Sequence, residues 1–400
     1  MVDNSCEKMV AVGLERCLAD PPQPMLGVRF GLLMNQASVD RTYRYAHHLL
    51  AARFPGQLTT LFGPQHGFWG QQQDNMIETP HDVDPVLGIP IYSLYGEHRK
   101  PTAEMLRHVE CLVVDLQSVG TRVYTFIWTL LHCLEACAEA GIPVVILDRP
   151  NPLGGQIVEG PCLQEDFRSF VGLYSIPMRH ALTFGEMARH LNRALELGAD
   201  VHVVRMEGWQ RHMSWTETGR TWIAPSPNLP RIEGVDVYPG QVLIEGTNLS
   251  EGRGTTTPFE IFGAPFVDPL RLLDRLRDYA TPGVVFRPVR FEPTFQKAQG
   301  RSCGGLYLHV TDWQQFRPYQ TTLAILACTK SLWPDDFCWR PPPYEYEETL
   351  MPIDILTGGI EVRVAIDNGA TPEDVARLAQ PAREWPARIA ADLLYDPPLH

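Results

Sequence analysis

The sequence predicts an α/β protein with a Rossmann-like, doubly wound, mainly parallel sheet and a second, smaller α/β domain. Apolar, β-prone segments alternate with helix-like segments through the first half of the chain. Glycine- and proline-rich loops begin near residue 207, and a second alternating region follows them. A chain of 400 residues is also too long for one ordinary core. We therefore predict a Rossmann-like domain over residues 1–255 and a smaller domain over residues 256–400 that closes a cleft.

The elements of the first domain are short apolar strands and helices with recognisable end signals. Asp40 can cap a helix, Pro101 can begin one, and Gly141 can end one. The predicted strands are 26–33, 57–62, 89–95, 111–116, 142–148 and 201–206. The predicted helices are 41–54, 101–109, 124–140 and 183–198.

The second domain repeats the alternation with fewer elements. Helices are predicted over 268–280 and 318–333, and strands over 283–293 and 304–312. A last helix is expected from Thr371, with proline in its first turn.

Composition excludes several classes of partner and favours a cytoplasmic location. A formal net charge of −13 argues against nucleic-acid and anionic-membrane partners. The chain has no 18-residue apolar run, and residues 1–22 lack the pattern of a signal peptide. Nine scattered cysteines without a C-x-x-C pair are typical of reduced thiols in a cytoplasm. The sequence gives no indication of the oligomeric state.

Hydrogen-bonding side chains follow four of the predicted strands. Ligands of open parallel sheets bind outside the carboxyl ends of the strands, so these side chains predict one shared site. Taken singly, each has a structural explanation, such as a turn for Asn35 or a hydrogen-bonded structural histidine for His66. The residues are Asn35, Gln36, Gln65, His66, Asp115, Gln117, Arg122, Arg149 and Asn151.

The predicted site suits a small saccharide. The sequence contains neither G-x-G-x-x-G nor a Walker motif, and neither H-E-x-x-H nor G-x-S-x-G, so no nucleotide cofactor and no metal are expected. For His47 and His48, ordinary packing or surface roles are expected. Amides and carboxylates bind hydroxyl groups, and aromatic faces cover the apolar side of a sugar ring.

Seven long motifs, in order, resemble the DUF1343 family. They are GPQHGFWG (63–70), QDNMIE (73–78), SLYGEHRKPT (93–102), DLQSVGTRVYTF (115–126), LDRPNPLGG (147–155), PSPNLP (225–230) and EGTNLSEGRGTTTPFEIFGAP (245–265). Characterised members of this family are exo-β-N-acetylmuramidases. The resemblance implies a cleft between two domains, no nucleotide cofactor, and release of terminal N-acetylmuramic acid from cell-wall saccharides during recycling. The chain departs from the family at Gln65, where those members carry glutamate. This departure matters because an amide cannot transfer a proton near neutral pH.

Hydrolysis of a glycoside needs a proton donor and a group that stabilises the cationic sugar. We predict catalytic roles for His66, Asp115 and Glu245, although Asp115 could instead pair with Arg122 to brace its turn. An arginine among Arg122, Arg149 and Arg253 could bind the lactyl carboxylate of muramic acid. A sugar-binding or sensing protein without turnover is the alternative, and an enzyme for a different glycoside or ester is a third hypothesis. Further predicted substrate-binding residues are Tyr124, Asn228, Asn248 and Glu251.

Overall fold

The computed structural model describes residues 9–73 and 76–396. The strands are β1 (Phe30–Met34), β2 (Leu58–Gly63), β3 (Asp82–Val83), β4 (Pro90–Ser93), β5 (Cys111–Asp115), β6 (Val144–Leu147), β7 (Glu159–Cys162), β8 (Pro177–Arg179), β9 (Val201–Val204), β10 (Ile261–Ala264), β11 (Val284–Phe291) and β12 (Cys303–Val310). The helices are α1 (Gly13–Ala19), α2 (Ala46–Arg53), α3 (Ala103–Leu106), α4 (Phe126–Ala140), α5 (Phe184–Ala194), α6 (Ile232–Gln241), α7 (Pro269–Leu276), α8 (Pro318–Leu332), α9 (Pro352–Thr357), α10 (Glu361–Asp367), α11 (Pro372–Leu378) and α12 (Trp385–Ile389).

The largest sheet has seven strands in the order β3-β4-β2-β1-β5-β6-β9. All neighbours pair in parallel except β3 and β4, which are antiparallel. The chain builds outward from β1 in one direction and then restarts with β5 on its other side. This reversal makes the sheet doubly wound, and the predicted fold class is confirmed.

Hydrophobic residues cover both faces of this sheet. On one face, residues of α1 and α2 such as Leu14 and Leu50 pack against β1 and β5. On the other face, α4 and α5 contribute Trp128 and Leu191 to a core that continues into the second domain. Burial on both faces explains why these strands are continuous apolar runs rather than alternating ones.

The second, smaller domain has a three-stranded antiparallel sheet in the order β10-β12-β11. Helices α6 and α7 pack on it, and α8 packs on both of these helices. The helices predicted near 268–280, 318–333 and from Thr371 are present, as are both predicted strands.

Two expectations about local structure were wrong. Part of the region interpreted as loop after residue 207 is helix α6, in which Val235 and Val237 are buried although Pro239 lies inside it. Tertiary packing thus overrides weak local propensity. The helix predicted over 41–54 begins only at Ala46, because the Asp40 carboxylate accepts N–H bonds from the following turn at Thr42 and Arg44.

No helix in the described part of the chain is long and apolar enough to cross a membrane.

Candidate active site

A small cavity lies where loops of both domains meet. The first domain contributes the turn after β2, the start of α4 and the loop around residues 226–229. The chain from α6 onward contributes the end of α6, the glycine-rich loop after it and a turn near residue 345. The lining residues are Gln65, His66, Val123, Tyr124, Thr125, Phe126, Val171, Ser226, Asn228, Leu229, Tyr238, Val242, Glu245, Arg253, Phe259, Tyr344 and Glu345.

The turn after β2 places His66 in the cavity wall. Its backbone is left-handed, with φ 71°, an uncommon conformation for a residue with a side chain. Nδ1 lies 2.7 Å from the carbonyl oxygen of Gln72. Because a carbonyl can only accept, Nδ1 carries the proton and Nε2 is the acceptor nitrogen. Burial, together with the Arg253 charge, lowers the pKa of His66 to about 4, so the ring is neutral at neutral pH.

Gln65 is held by two hydroxyl groups at the cavity wall. Its Nε2 donates to the Tyr95 hydroxyl at 3.2 Å, and its Oε1 accepts from the Thr125 hydroxyl at 2.5 Å. Both ends of the amide are therefore fixed. A glutamate here would accept from the same two hydroxyl groups, which is consistent with the family pattern at this position.

Glu245 is an ionised carboxylate in the wall of the cavity. It lies in a short 3₁₀ helix, Val242–Gly246. Oε1 accepts from Arg253 Nη2 at 2.7 Å, and Oε2 accepts from the Tyr344 hydroxyl at 2.7 Å. Burial alone would raise its pKa, but the Arg253 charge and these hydrogen bonds hold the pKa of Glu245 below its usual value.

Arg253 connects Glu245 to a second buried acid. Arg253 Nε lies 3.2 Å from Glu251 Oε1, and the Lys297 ammonium lies 3.0 Å from Glu251 Oε2. Two cations and two carboxylates thus form a network. Among the described residues, Arg253 Nη1 has no hydrogen-bond partner, so the guanidinium retains donors for a ligand.

Glu345 is the second carboxylate in the cavity, and its environment opposes ionisation. It is 2% exposed, and no described residue hydrogen-bonds its Oε2. Burial, reinforced by the negative charge of Glu245, raises the pKa of Glu345 to about 8. Glu345 is therefore protonated at neutral pH.

Glu345 occupies a strained turn. Tyr344 and Glu347 exchange two backbone hydrogen bonds of 2.9 Å, so Glu345 and Tyr346 are the two central residues of a hairpin turn. Both have positive φ, 46° and 67°, a pair of conformations that usually selects Asn-Gly. Left-handed backbone at such residues costs about 1–3 kcal/mol each and is concentrated at functional sites.

The cavity thus brings together six of the residues predicted from the sequence. They are Gln65, His66, Tyr124, Asn228, Glu245 and Arg253. Glu251 does not line the cavity, but it pairs with Arg253, which does.

Asp115 does not line this cavity. It is fully buried and forms a bidentate pair with Arg149, at 2.5 Å from Nε and 2.8 Å from Nη2. The pairing considered for Asp115 and Arg122 is absent from the structure. Arg122 instead donates to the backbone carbonyls of Pro161, Ile176 and Leu356.

The remaining predicted residues lie outside the cavity wall and bind backbone groups. Asn35 Nδ2 donates to the carbonyl of Pro225, and Gln36 Nε2 to that of Ala224. These bonds hold the segment that leads into Ser226 and Asn228. In the same way, the side-chain amide of Gln117 donates to the backbone carbonyl of Pro150, that of Asn151 to Leu182 and that of Asn248 to Asp336. The cavity therefore lies towards the second domain rather than over all four strand ends.

Sequence reasoning missed Glu345, Tyr238, Tyr344 and Phe259. Glu345 lies in YEYEE (344–348), and nothing in the sequence distinguishes it from the other two glutamates of this segment. The proline run before it predicts only an irregular loop, and neither burial nor the proximity of Glu245 is visible at that level.

Sequence models of the exo-β-N-acetylmuramidase NamZ family match the chain over residues 30–233 for the N-terminal domain and 236–395 for the C-terminal domain. The chain is 43% identical over 366 residues to the peptidoglycan β-N-acetylmuramidase NamZ of Bacillus subtilis strain 168, covering 92% of this chain and 86% of that protein. A crystal structure of a DUF1343 family protein from Bacteroides fragilis superposes with a TM-score of 0.87 at 30% identity, over 97% and 99% of the two chains. A second such structure from that organism gives 0.74 at 26% identity, over 96% and 99%.

Proposed function

Because the chain belongs to the NamZ family of exo-β-N-acetylmuramidases, we propose that it hydrolyses the bond between terminal N-acetylmuramic acid and the next sugar in peptidoglycan fragments. The observation that carries the proposal is the pair of cavity glutamates whose pKa values are shifted in opposite directions. Such a divergence assigns one carboxyl group as acid and the other as anion.

Glu345 acts as the general acid. Its protonated carboxyl group donates to the glycosidic oxygen as the bond to the anomeric carbon breaks. The leaving sugar departs as an alcohol. Water then supplies hydroxide to the anomeric carbon, and its remaining proton restores Glu345.

Glu245 stabilises the positive charge that develops at the anomeric carbon. Its oxygens are fixed by Arg253 and Tyr344, so the charge is already oriented before the substrate reacts. Because both oxygens are hydrogen-bonded, Glu245 is better suited to electrostatic stabilisation than to attack. The 2-acetamido oxygen of the substrate attacks the anomeric carbon as the glycosidic bond breaks. The water oriented by neutral His66 then attacks the same carbon, the bond to the acetamido oxygen breaks, and the acetamido group is restored.

Arg253 binds the lactyl carboxylate of muramic acid. Its unpaired Nη1 supplies donors, and the contact distinguishes N-acetylmuramic acid from N-acetylglucosamine, which lacks that group. The aromatic residues Tyr124, Tyr238 and Phe259 line the same cavity and provide apolar surface for the sugar ring.

Hydrolysis of a chromogenic β-N-acetylmuramide by the purified chain tests the proposal, with the matching N-acetylglucosaminide as control. We expect turnover of the first compound and at least tenfold lower kcat/KM for the second. Turnover of neither sugar at any pH between 5 and 8 would contradict the enzymatic assignment.

A sugar-binding protein without turnover is the second candidate, and Gln65 is the observation that favours it. In that case N-acetylmuramic acid binds in a calorimetric titration, whereas the chromogenic substrate remains intact. Binding without hydrolysis would therefore decide for this candidate.

We place the reaction in the cytoplasm, during recycling of cell-wall fragments. All eight cysteines in the described residues are free thiols, which suits a reducing compartment. Fractionation of the producing cells, followed by immunoblotting, tests this: recovery in the medium or cell envelope would contradict it.

A further inference from the structure

Three potential metal ligands cluster outside the active-site cavity. His47 and His48 lie in the first turn of α2, and Asp84 directly follows β3. One ligand atom from each residue lies within 4.8 Å of the others. Two imidazoles and a carboxylate are a donor set that divalent first-row metals accept.

The two inner members of the cluster are buried without hydrogen-bond partners. His47 is 0% exposed and Asp84 is 1% exposed. Within the described residues, neither ring nitrogen of His47 has a hydrogen-bond partner, and Asp84 Oδ2 has none either. Buried polar atoms are usually satisfied, so three unsatisfied atoms at one place indicate a missing ligand.

The distance between these atoms fits shared coordination better than a hydrogen bond. His47 Nε2 lies 3.5 Å from Asp84 Oδ2, which is long for a bond to an ionised acceptor. Two ligands on a tetrahedral Zn²⁺, with bonds of about 2.0–2.2 Å, are separated by about 3.4 Å.

Neighbouring contacts orient the cluster. Asp84 Oδ1 accepts the N–H groups of Val86 at 3.0 Å and Leu87 at 2.7 Å, so Oδ2 is the oxygen available for a metal. His48 is exposed and its ring centroid lies 4.0 Å from that of His47. A surface side chain can rotate by the ångström or so needed to complete the site, which leaves the fourth position to water.

We propose that His47, His48 and Asp84 bind one divalent transition-metal ion, for which Zn²⁺ is the best match. The His47 ring packs against Phe68 and Trp69, at 5.5 and 5.8 Å between centroids. Those aromatic residues belong to the turn that carries Gln65 and His66. The ion therefore ties α2 and the end of β3 to that turn, and its role is structural.

Zinc titration of the full chain tests the site. Protein treated with EDTA and desalted is titrated with Zn²⁺ in competition with a chromophoric chelator. We expect one ion per chain, and binding weakened at least about tenfold in His48→Gln and in Asp84→Asn, because even groups behind a ligand contribute that much. The matched control is His108→Gln, which removes another exposed histidine and leaves the affinity unchanged.

The visible absorption of bound Co²⁺ distinguishes a metal ligand from a residue that only forms a structural hydrogen bond. Co²⁺ in the wild-type chain and in the His108→Gln control should show visible absorption of a four-coordinate site, and this absorption should be lost in His48→Gln. Circular dichroism establishes that each variant is folded. Failure of the wild-type chain to bind stoichiometric Zn²⁺ would overturn the proposal, as would equal affinity in His48→Gln and the control.

Discussion

Replacement of Glu345 by glutamine should remove activity and at the same time stabilise the protein at high pH. Burial and the Glu245 charge raise the pKa of Glu345 from an ordinary 4.5 to about 8. Between these two pH values the folded chain binds a proton that the unfolded chain has lost. The free energy of unfolding therefore falls as pH rises from about 4.5 to about 8.

The size of this effect follows from the shift. Each pKa unit corresponds to about 1.36 kcal/mol, so a rise from 4.5 to about 8 destabilises the ionised folded state by about 5 kcal/mol. Because glutamine cannot ionise, the free energy of unfolding of Glu345→Gln does not fall in this way as the pH rises. Glu345→Gln and wild type should be about equally stable at pH 4, whereas at pH 9 the variant should be more stable by several kcal/mol.

Urea unfolding monitored by tryptophan fluorescence at several pH values measures this difference. Glu348→Gln is the matched control, because it removes an exposed carboxylate from the same segment and should leave the pH dependence of wild type unchanged. Turnover of the chromogenic muramide should be lost only in Glu345→Gln. If wild type and Glu345→Gln lose the same stability between pH 5 and pH 9, the assignment of a raised pKa is wrong.

Three further outcomes follow from the same geometry. kcat/KM should be nearly constant from pH 5 to 7, because His66 is already neutral above about pH 4 and Glu345 still holds its proton. Well above pH 8 it should fall tenfold per pH unit, because Glu345 loses that proton. A profile that rises through pH 8 would contradict this. Asp115→Asn should lower the free energy of unfolding in urea by about 3–5 kcal/mol, because it leaves the buried Arg149 guanidinium unpaired. KM of the folded variant should be unchanged. Loss of kcat at unchanged stability would instead make Asp115 catalytic. Gln65→Glu should change kcat less than tenfold, because the acid lies elsewhere, and a gain of a hundredfold or more would locate the acid at position 65.

Much of the fold could be predicted because it depends on local patterns. The strands of the parallel sheet are continuous apolar runs, and β1, β5 and β6 were found within a few residues of their predicted bounds. Helix α6 could not be predicted, since it contains glycine and proline and is formed through packing on α8. The domain boundary near residue 255 stays a prediction.

The site was predictable where the chain places it directly after a strand and in the glycine-rich loop, and not at the turn that carries Glu345. Gln65 and His66 follow β2, and the strand-end rule locates them. Asp115 and Arg149 satisfy the same rule, yet they neutralise each other in the interior. Glu345 depends on a hairpin turn that no sequence signal specifies, because its two central residues are Glu and Tyr in place of Asn-Gly.

Direct titration of the Glu345 carboxyl group tests the central claim most closely. The infrared difference spectrum between wild type and Glu345→Gln, recorded from pH 4 to pH 10, isolates the C=O band of the protonated group. The account predicts that this band persists at neutral pH and disappears with a midpoint near 8. A band that is already lost at pH 6 would contradict it.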